Sequence, residues 1–228
     1  MKTRLFLLAF SLLAGPVFAG QPVFEESIVQ LPRTSGWKTQ GAVEVQGDKL
    51  VLRATGDEGA FANGVLLTTE PSDALNFTEH PLQIRVSGIE LSGDAPDAKK
   101  AFVILLSTDK ALETSAAAYV RFCLNGDGSF NVAGPKSGGG EGVIPVDLVT
   151  GKAVLPISEI VLSLSRENVI VKIKDGAGDQ EIQGEIGDKI DLSLWQGVSP
   201  YFVLKAVRRP AAGYFEASVA GLEISSGK

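Results

Sequence analysis

Three pairs of polar residues, each with its members two or four positions apart, could carry chemistry on the surface of a β-sheet. They are Gln83 with Arg85, Tyr119 with Arg121, and Tyr201 with Lys205. Successive side chains of a strand point to opposite faces, so the members of each pair share a face. A cation or amide can neutralise a substrate carboxylate and a tyrosine can transfer protons, as elimination from an acidic sugar polymer requires. The same groups also suit a passive sugar-binding face, or a solvated face of cross-strand pairs.

Aromatic side chains indicate a second possible function, sugar binding, because their rings offer an apolar contact surface together with a polar group. Trp195 precedes Gln196-Gly197, so we expect it beside a loop and exposed. Together with Tyr119, Arg121 and Tyr214 it forms the predicted ligand-binding set.

One loop has the alternating oxygen side chains of a calcium site. Asn125-Gly126-Asp127-Gly128-Ser129 begins like a calcium loop, but Lys136 stands where the bidentate glutamate of such a loop would be. Turns use the same residue types. We therefore expect a turn, with calcium at Asn125 and Asp127 as the alternative and no other cofactor.

The rarest residues limit the remaining chemistry. The chain has one histidine and one cysteine, too few for an intrachain disulfide or a Cys/His zinc site. Glycoside hydrolysis needs two carboxylates at one site, and no Glu-x-Asp-x-Glu run occurs that would place them on one face of a strand. A carboxylate pair drawn from two different strands stays open.

The apolar pattern that positions these residues has a period of two. Short alternating runs, such as 43–45 with 50–52 and 160–164 with 169–174, are separated by Gly, Asn and Asp turns. Helical periods appear only over 72–75 and 109–118. About twelve short strands with one or two short loop helices predict an all-β, antiparallel β-sandwich of the jelly-roll type. An up-and-down barrel is the alternative.

The N-terminus is typical of a secretory signal peptide. Lys2 and Arg4 precede a short apolar run, and Val17 and Ala19 suit a signal peptidase site. Residues 1–19 are thus predicted to be removed, leaving 20–228 as one exported domain, periplasmic or extracellular. No later segment is long and apolar enough to span a membrane. The formal net charge of −6, without a basic cluster, argues against nucleic acid as a partner.

Three stretches resemble the concanavalin A-like lectin and glucanase superfamily, including laminin-G-like domains. They are Gly36-Trp37 with the 47–52 hairpin, the central hairpin 160–175, and the closing strand 215–225. The resemblance implies a jelly roll over nearly the whole exported chain. Alginate lyases of this fold carry a Gln-Ile-His triplet and an Arg-x-Glu-Leu-Arg strand. Gln83-Ile84-Arg85 stands in place of the first motif, and the second is absent.

These observations favour an exported domain that binds a glycan or polysaccharide without catalysis. A polysaccharide lyase or glycoside hydrolase is the first alternative, with the lyase favoured over the two-carboxylate hydrolase. The other alternative is a structural or interaction module of the cell envelope. Fold alone does not separate them, because sandwiches of this kind host many functions.

Overall fold

The computed structural model describes residues 20–55, 64–93, 100–109, 118–136, 145–208 and 214–227. The predicted signal peptide at 1–19 and most of the predicted helical stretch 109–118 lie outside these residues. Strands dominate the described residues, and their helices are short 3-10 helices.

The strands follow one another in chain order as β1 Gln21–Pro22, β2 Trp37–Gln40, β3 Ala42–Gln46, β4 Lys49–Thr55, β5 Gly64–Thr68, β6 Leu82–Ser87, β7 Glu90–Gly93, β8 Lys100–Ser107, β9 Tyr119–Asn125, β10 Ser129–Pro135, β11 Pro145–Lys152, β12 Ile157–Leu164, β13 Asn168–Asp175, β14 Gly178–Glu185, β15 Tyr201–Arg208, β16 Tyr214–Val219 and β17 Gly221–Ser226. The 3-10 helices are Leu31–Arg33, Asp73–Leu75, Gly187–Lys189 and Leu192–Trp195.

These strands form three antiparallel sheets. The six-stranded sheet has the order β1-β17-β6-β12-β13-β14, and the seven-stranded sheet has the order β11-β10-β9-β8-β15-β5-β2. A four-stranded sheet has the order β3-β4-β16-β7. Many neighbours in a sheet are distant in sequence, as in the pairing of β6 with both β12 and β17. The prediction of an all-β antiparallel jelly-roll sandwich is confirmed.

Two predicted hairpins show why the alternating pattern is reliable. In the first, Gln46 pairs with Lys49 across the loop Gly47-Asp48, and Gly47 has a φ of 62° that favours glycine. In the second, Leu164 pairs with Val169 at the closed end of β12 and β13. Both turns lie where polar residues interrupt the apolar alternation.

One large apolar core contains side chains from all three sheets. Ile84, Leu162, Phe122, Phe202 and Leu52 each expose 1% or less of their surface within it. Burying a side chain of this size contributes about 1.5–3 kcal/mol. Since each strand sends alternate residues into this core, the remaining residues form the outer faces of the sheets, where the six residues predicted for catalysis lie.

Candidate functional site

The outer face of the seven-stranded sheet collects four of the six residues predicted for catalysis. In β9, Val120, Phe122 and Leu124 are buried in the core, so Tyr119 and Arg121 point to the opposite face. In β15, Phe202 and Leu204 point inward, which puts Tyr201 and Lys205 on that same outer face. Strand β8 lies between β9 and β15 and joins the two sets.

The strand register arranges these residues in parallel rows. Ser107 of β8 pairs with Tyr119 on one side and with Tyr201 on the other. In the next row, Leu105 pairs with Arg121 and with Val203. Neighbouring strands lie about 4.8 Å apart, so the backbones of the two tyrosines are about 10 Å apart across Ser107.

Arg121 is a half-buried cation on this outer face. Its guanidinium carbon lies 6.0 Å from the centroid of the Tyr119 ring, a cation–π geometry. Its Nε is buried and has no hydrogen-bond acceptor among the described residues. A buried donor without an acceptor costs about 1–3 kcal/mol. Arg121 as a whole is only half-buried, so an incoming anion would meet the accessible part of its guanidinium.

The centre of this outer face is apolar. Alternate residues of β5, β8 and β15 form a second hydrophobic cluster there, separate from the core and made of Val65, Leu67, Ala101, Val103, Leu105 and Val203. Lys205 lies between Val103 and Val65 in the register and is only 4% exposed. Its side chain is therefore enclosed by the protein rather than presented to a ligand.

Sequence reasoning missed the polar residues that extend this face toward β11. Asn131 pairs with Cys123 and with Thr150, and its Nδ2 donates to Oδ1 of Asp147 at 2.6 Å. The alternation of Asn131 with the buried Phe130 and Val132 was a signal that could have indicated its outward direction.

Gln83 and Arg85 lie in the other layer of the sandwich, so the six predicted catalytic residues do not form one site. Both are on the outer face of β6 in the six-stranded sheet. Nη1 of Arg85 lies 2.9 Å from Oε2 of Glu159, and its Nε lies 3.7 Å from Oε2 of Glu223. The separation arises because β6 pairs with β12 and β17, while β9 and β15 pair with β8.

The expectation that Trp195 is exposed is wrong. Its side chain is 0% exposed and packs edge-on against Phe77, with 4.7 Å between ring centroids. A sugar ring cannot stack on it in this position. The short 3-10 helix at Leu192–Trp195 turns the indole inward, while the neighbouring Leu194 is 43% exposed. Tyr214 is exposed, but it begins β16 of the four-stranded sheet and so is not in the sheet that carries Tyr119 and Arg121.

The Asn125–Ser129 segment forms the expected turn. Oδ1 of Asp127 accepts hydrogen bonds from the backbone N–H and the hydroxyl of Ser129, and these bonds lower the pKa of the Asp127 carboxyl. Nδ2 of Asn125 donates to the same hydroxyl at 2.9 Å. Within the described part of the chain, no three His, Cys, Asp or Glu residues cluster as a metal site would require. The side chains of Asn125 and Asp127 thus have partners within the turn.

The three sheets and their strand order define a concanavalin A-like jelly roll. Solved structures with this fold include alginate lyase A1-II′, a member of polysaccharide lyase family 7, with a TM-score of 0.58 at 12% identity over 89% of this chain and 100% of that chain. Lectin II from Ulex europaeus has a TM-score of 0.57 at 10% identity, over 85% and 93% of the two chains. Lectin I-B4 from Griffonia simplicifolia has a TM-score of 0.59 at 11% identity, over 85% and 94%.

Sequence comparison adds no closer relative. No family model matches this chain, and no curated protein sequence matches it. In the residues that the structure describes, no helix has the length and hydrophobicity needed to cross a membrane.

Proposed function

We propose that the protein is an exported binding protein that holds an acidic polysaccharide on the outer face of its seven-stranded sheet without cleaving it. The observation that carries this proposal is the buried Nε of Arg121, which lacks an acceptor among the described residues, beside the ring of Tyr119. A sugar carboxylate that bound the accessible part of this guanidinium would form a charge-assisted hydrogen bond with an arginine whose charge has no carboxylate partner among the described residues. A lectin complexed with galactose and a polysaccharide lyase share this fold, which supports a glycan as the ligand.

Binding without cleavage is favoured by what surrounds Arg121. Elimination needs a base that removes the proton on the carbon beside the sugar carboxylate and an acid that protonates the leaving oxygen, both within hydrogen-bond reach. Here Leu105 and Val203 occupy the row beside Arg121, and Lys205 is buried among apolar neighbours. The lyase remains the second candidate, because Tyr119 and Tyr201 flank Ser107 and could serve as the proton-transfer pair.

The test is titration calorimetry of the mature chain against a panel of uronic-acid polysaccharides. Wild type is compared with Arg121→Gln and with Arg166→Gln, which changes an exposed arginine of the β12–β13 turn. Losing one charge-assisted hydrogen bond costs about 1.5–3 kcal/mol, so Arg121→Gln should weaken binding by roughly ten- to a hundredfold and Arg166→Gln should not.

Two outcomes would contradict this proposal. Ultraviolet-absorbing unsaturated sugars released from any polymer of the panel would establish the lyase instead. If no polymer binds, or if both arginine variants bind like wild type, the acidic-glycan site is excluded and the cell-envelope interaction module becomes the better explanation.

A further inference from the structure

The outer face of the six-stranded sheet carries two adjoining cavities that the proposed acidic-glycan site does not use. One has a volume of about 530 Å³ and the other about 620 Å³, and both are lined by Gln83 and Arg85. Small-molecule sites commonly occupy 300–1,000 Å³. The cavities extend from β17 to β14, a span of about 19 Å at the usual strand spacing, so together they form one groove suited to an oligomer.

The first cavity is lined by equal numbers of positive and negative side chains. Lys172 pairs across the strands with Glu181, and Lys174 pairs with Asp179 in the neighbouring row. Arg85 and Glu159 complete the set, so its net charge is zero. Carboxylates accept hydrogen bonds while Arg and Lys donate them, and sugar hydroxyls can do both. An uncharged, hydroxyl-rich ligand therefore fits this lining better than an ion of either sign.

The second cavity argues against an anionic ligand in particular. It contains Glu25, Glu26 and Glu223 against two cations, Arg85 and, in the mature chain, the α-amino group of Gly20, so it is net acidic. A uronate chain spanning both cavities would meet this acidic end and be repelled. The half-buried ring of Phe24 also lines this cavity and offers an apolar surface to a sugar ring.

The lining side chains are held in place yet keep bonding capacity. Nη1 of Arg85 contacts Glu159 at 2.9 Å and Nζ of Lys172 contacts Glu181 at 3.0 Å, which fixes these long side chains. The Arg85 side chain is nevertheless 43% exposed and that of Lys172 is 55% exposed. Side chains fixed before binding lose less conformational entropy when a ligand arrives.

We infer that this groove binds a neutral polysaccharide, at a site separate from Arg121 and in the opposite layer of the sandwich. The Arg121 site would then prefer an acidic ligand, and the groove would prefer an uncharged one. Neither site depends on the other, so each can fail alone.

The experiment titrates the mature chain with uncharged oligosaccharides of glucose, galactose, mannose and xylose, alongside the uronic-acid polymers. Three variants are compared with wild type: Arg85→Gln, Gln83→Trp, which fills the point where the cavities meet, and Arg121→Gln. Thermal unfolding of each variant verifies that it is folded. We expect Arg85→Gln and Gln83→Trp to weaken neutral-oligosaccharide binding by at least about tenfold, while Arg121→Gln leaves it unchanged.

The inference is overturned if no neutral oligosaccharide binds, if Arg85→Gln and Gln83→Trp both bind like wild type, or if uronic-acid polymers bind competitively with the neutral ligand. A failure of the Arg121 site alone would leave the neutral ligand bound and sensitive to Arg85→Gln. The two proposals are thus distinguishable within one set of titrations.

Discussion

The side-chain nitrogen Nδ2 of Asn76 donates a 2.7 Å hydrogen bond to the backbone carbonyl oxygen of Trp195, more than a hundred residues away in sequence. The same nitrogen donates to the carbonyl of Val198 at 2.9 Å, and Oδ1 accepts from the backbone and hydroxyl of Thr78. Asn76 is 1% exposed. One buried amide therefore ties the segment before β6 to the turn before β15.

Replacing Asn76 should destabilise the fold. Asn76→Ala removes this donor from the Trp195 and Val198 carbonyls. The Trp195 carbonyl keeps a long 3.4 Å bond from the Val198 N–H, and a buried group left unsatisfied costs about 1–3 kcal/mol. We expect chemical denaturation to show a loss of about 2–3 kcal/mol in the free energy of unfolding. Asn131→Ala is the matched control, because its bond to Asp147 is exposed, and a loss below about 1 kcal/mol is expected there. Equal losses in the two variants would contradict the importance of the Asn76 link.

Trp195 should matter to stability and not to glycan binding. Because the indole fills the core against Phe77, Trp195→Ala is expected to cost about 3–5 kcal/mol. Trp195→Phe keeps an aromatic ring in the core. Nε1 of Trp195 has no hydrogen-bond partner among the described residues, so no such bond is lost, and this variant should lose less free energy of unfolding than the alanine variant. Calorimetric titration of the folded Phe variant should give wild-type glycan affinity. A selective loss of sugar binding by this stable variant would restore Trp195 as a ligand-binding residue.

Gly184 should tolerate no side chain, because β14 passes close to β11 there. A Cβ at Gly184 would overlap the backbone carbonyl oxygen of Leu148 and crowd the Val149 side chain. Overpacking of this kind typically costs about 1–3 kcal/mol, and Gly184→Ala should lower the free energy of unfolding by that amount. At Gly227 a Cβ would meet only ordinary contacts with Pro81, so Gly227→Ala is the control. Matching denaturation midpoints for the two variants would disprove a close approach of the two strands.

The sequence predicted local pairing well and the distribution of residues between layers poorly. The β12–β13 hairpin follows from alternating Ile160, Leu162 and Leu164 and a polar turn, all within a few residues. The location of Gln83 and Arg85 depends instead on pairing between β6 and strands far along the chain. Period two determines which neighbours share a face, but it carries no information on which sheet the strand joins.

Two other differences between the predictions from sequence and the structure have local physical causes. The apolar alternation does not predict β14, because Ile182 is its main apolar residue among charged and amide side chains. As an edge strand it needs little apolar pattern. The inward position of Trp195 depends on the 3-10 helix that Asp191 caps by accepting from the Ser193 backbone N–H. A sequence window that shows Trp195 beside Gly197 indicates the loop but not the direction of the ring.

Asp175 should make stability depend on pH in the acid range. Its oxygens accept from the backbone N–H groups of Val154 and Ala177 at 2.8 Å each, and these bonds, with one from Gln180, hold the carboxyl pKa below its usual range. A pKa that is lower in the folded state means that the stabilisation is present above the unfolded-state pKa of about 3.9 and is lost as the pH falls through the folded-state pKa.

Asp175→Asn should therefore lower the thermal midpoint at neutral pH, and the gap to wild type should narrow below about pH 4. The measurement is a series of thermal unfolding curves between neutral pH and the acid limit of folding for both proteins. Asp48→Asn, at the exposed tip of the β3–β4 hairpin, is the control and should follow the wild-type curve throughout. If the difference in thermal midpoint between wild type and Asp175→Asn stayed constant or widened as the pH fell, the folded-state pKa of Asp175 would not be lowered.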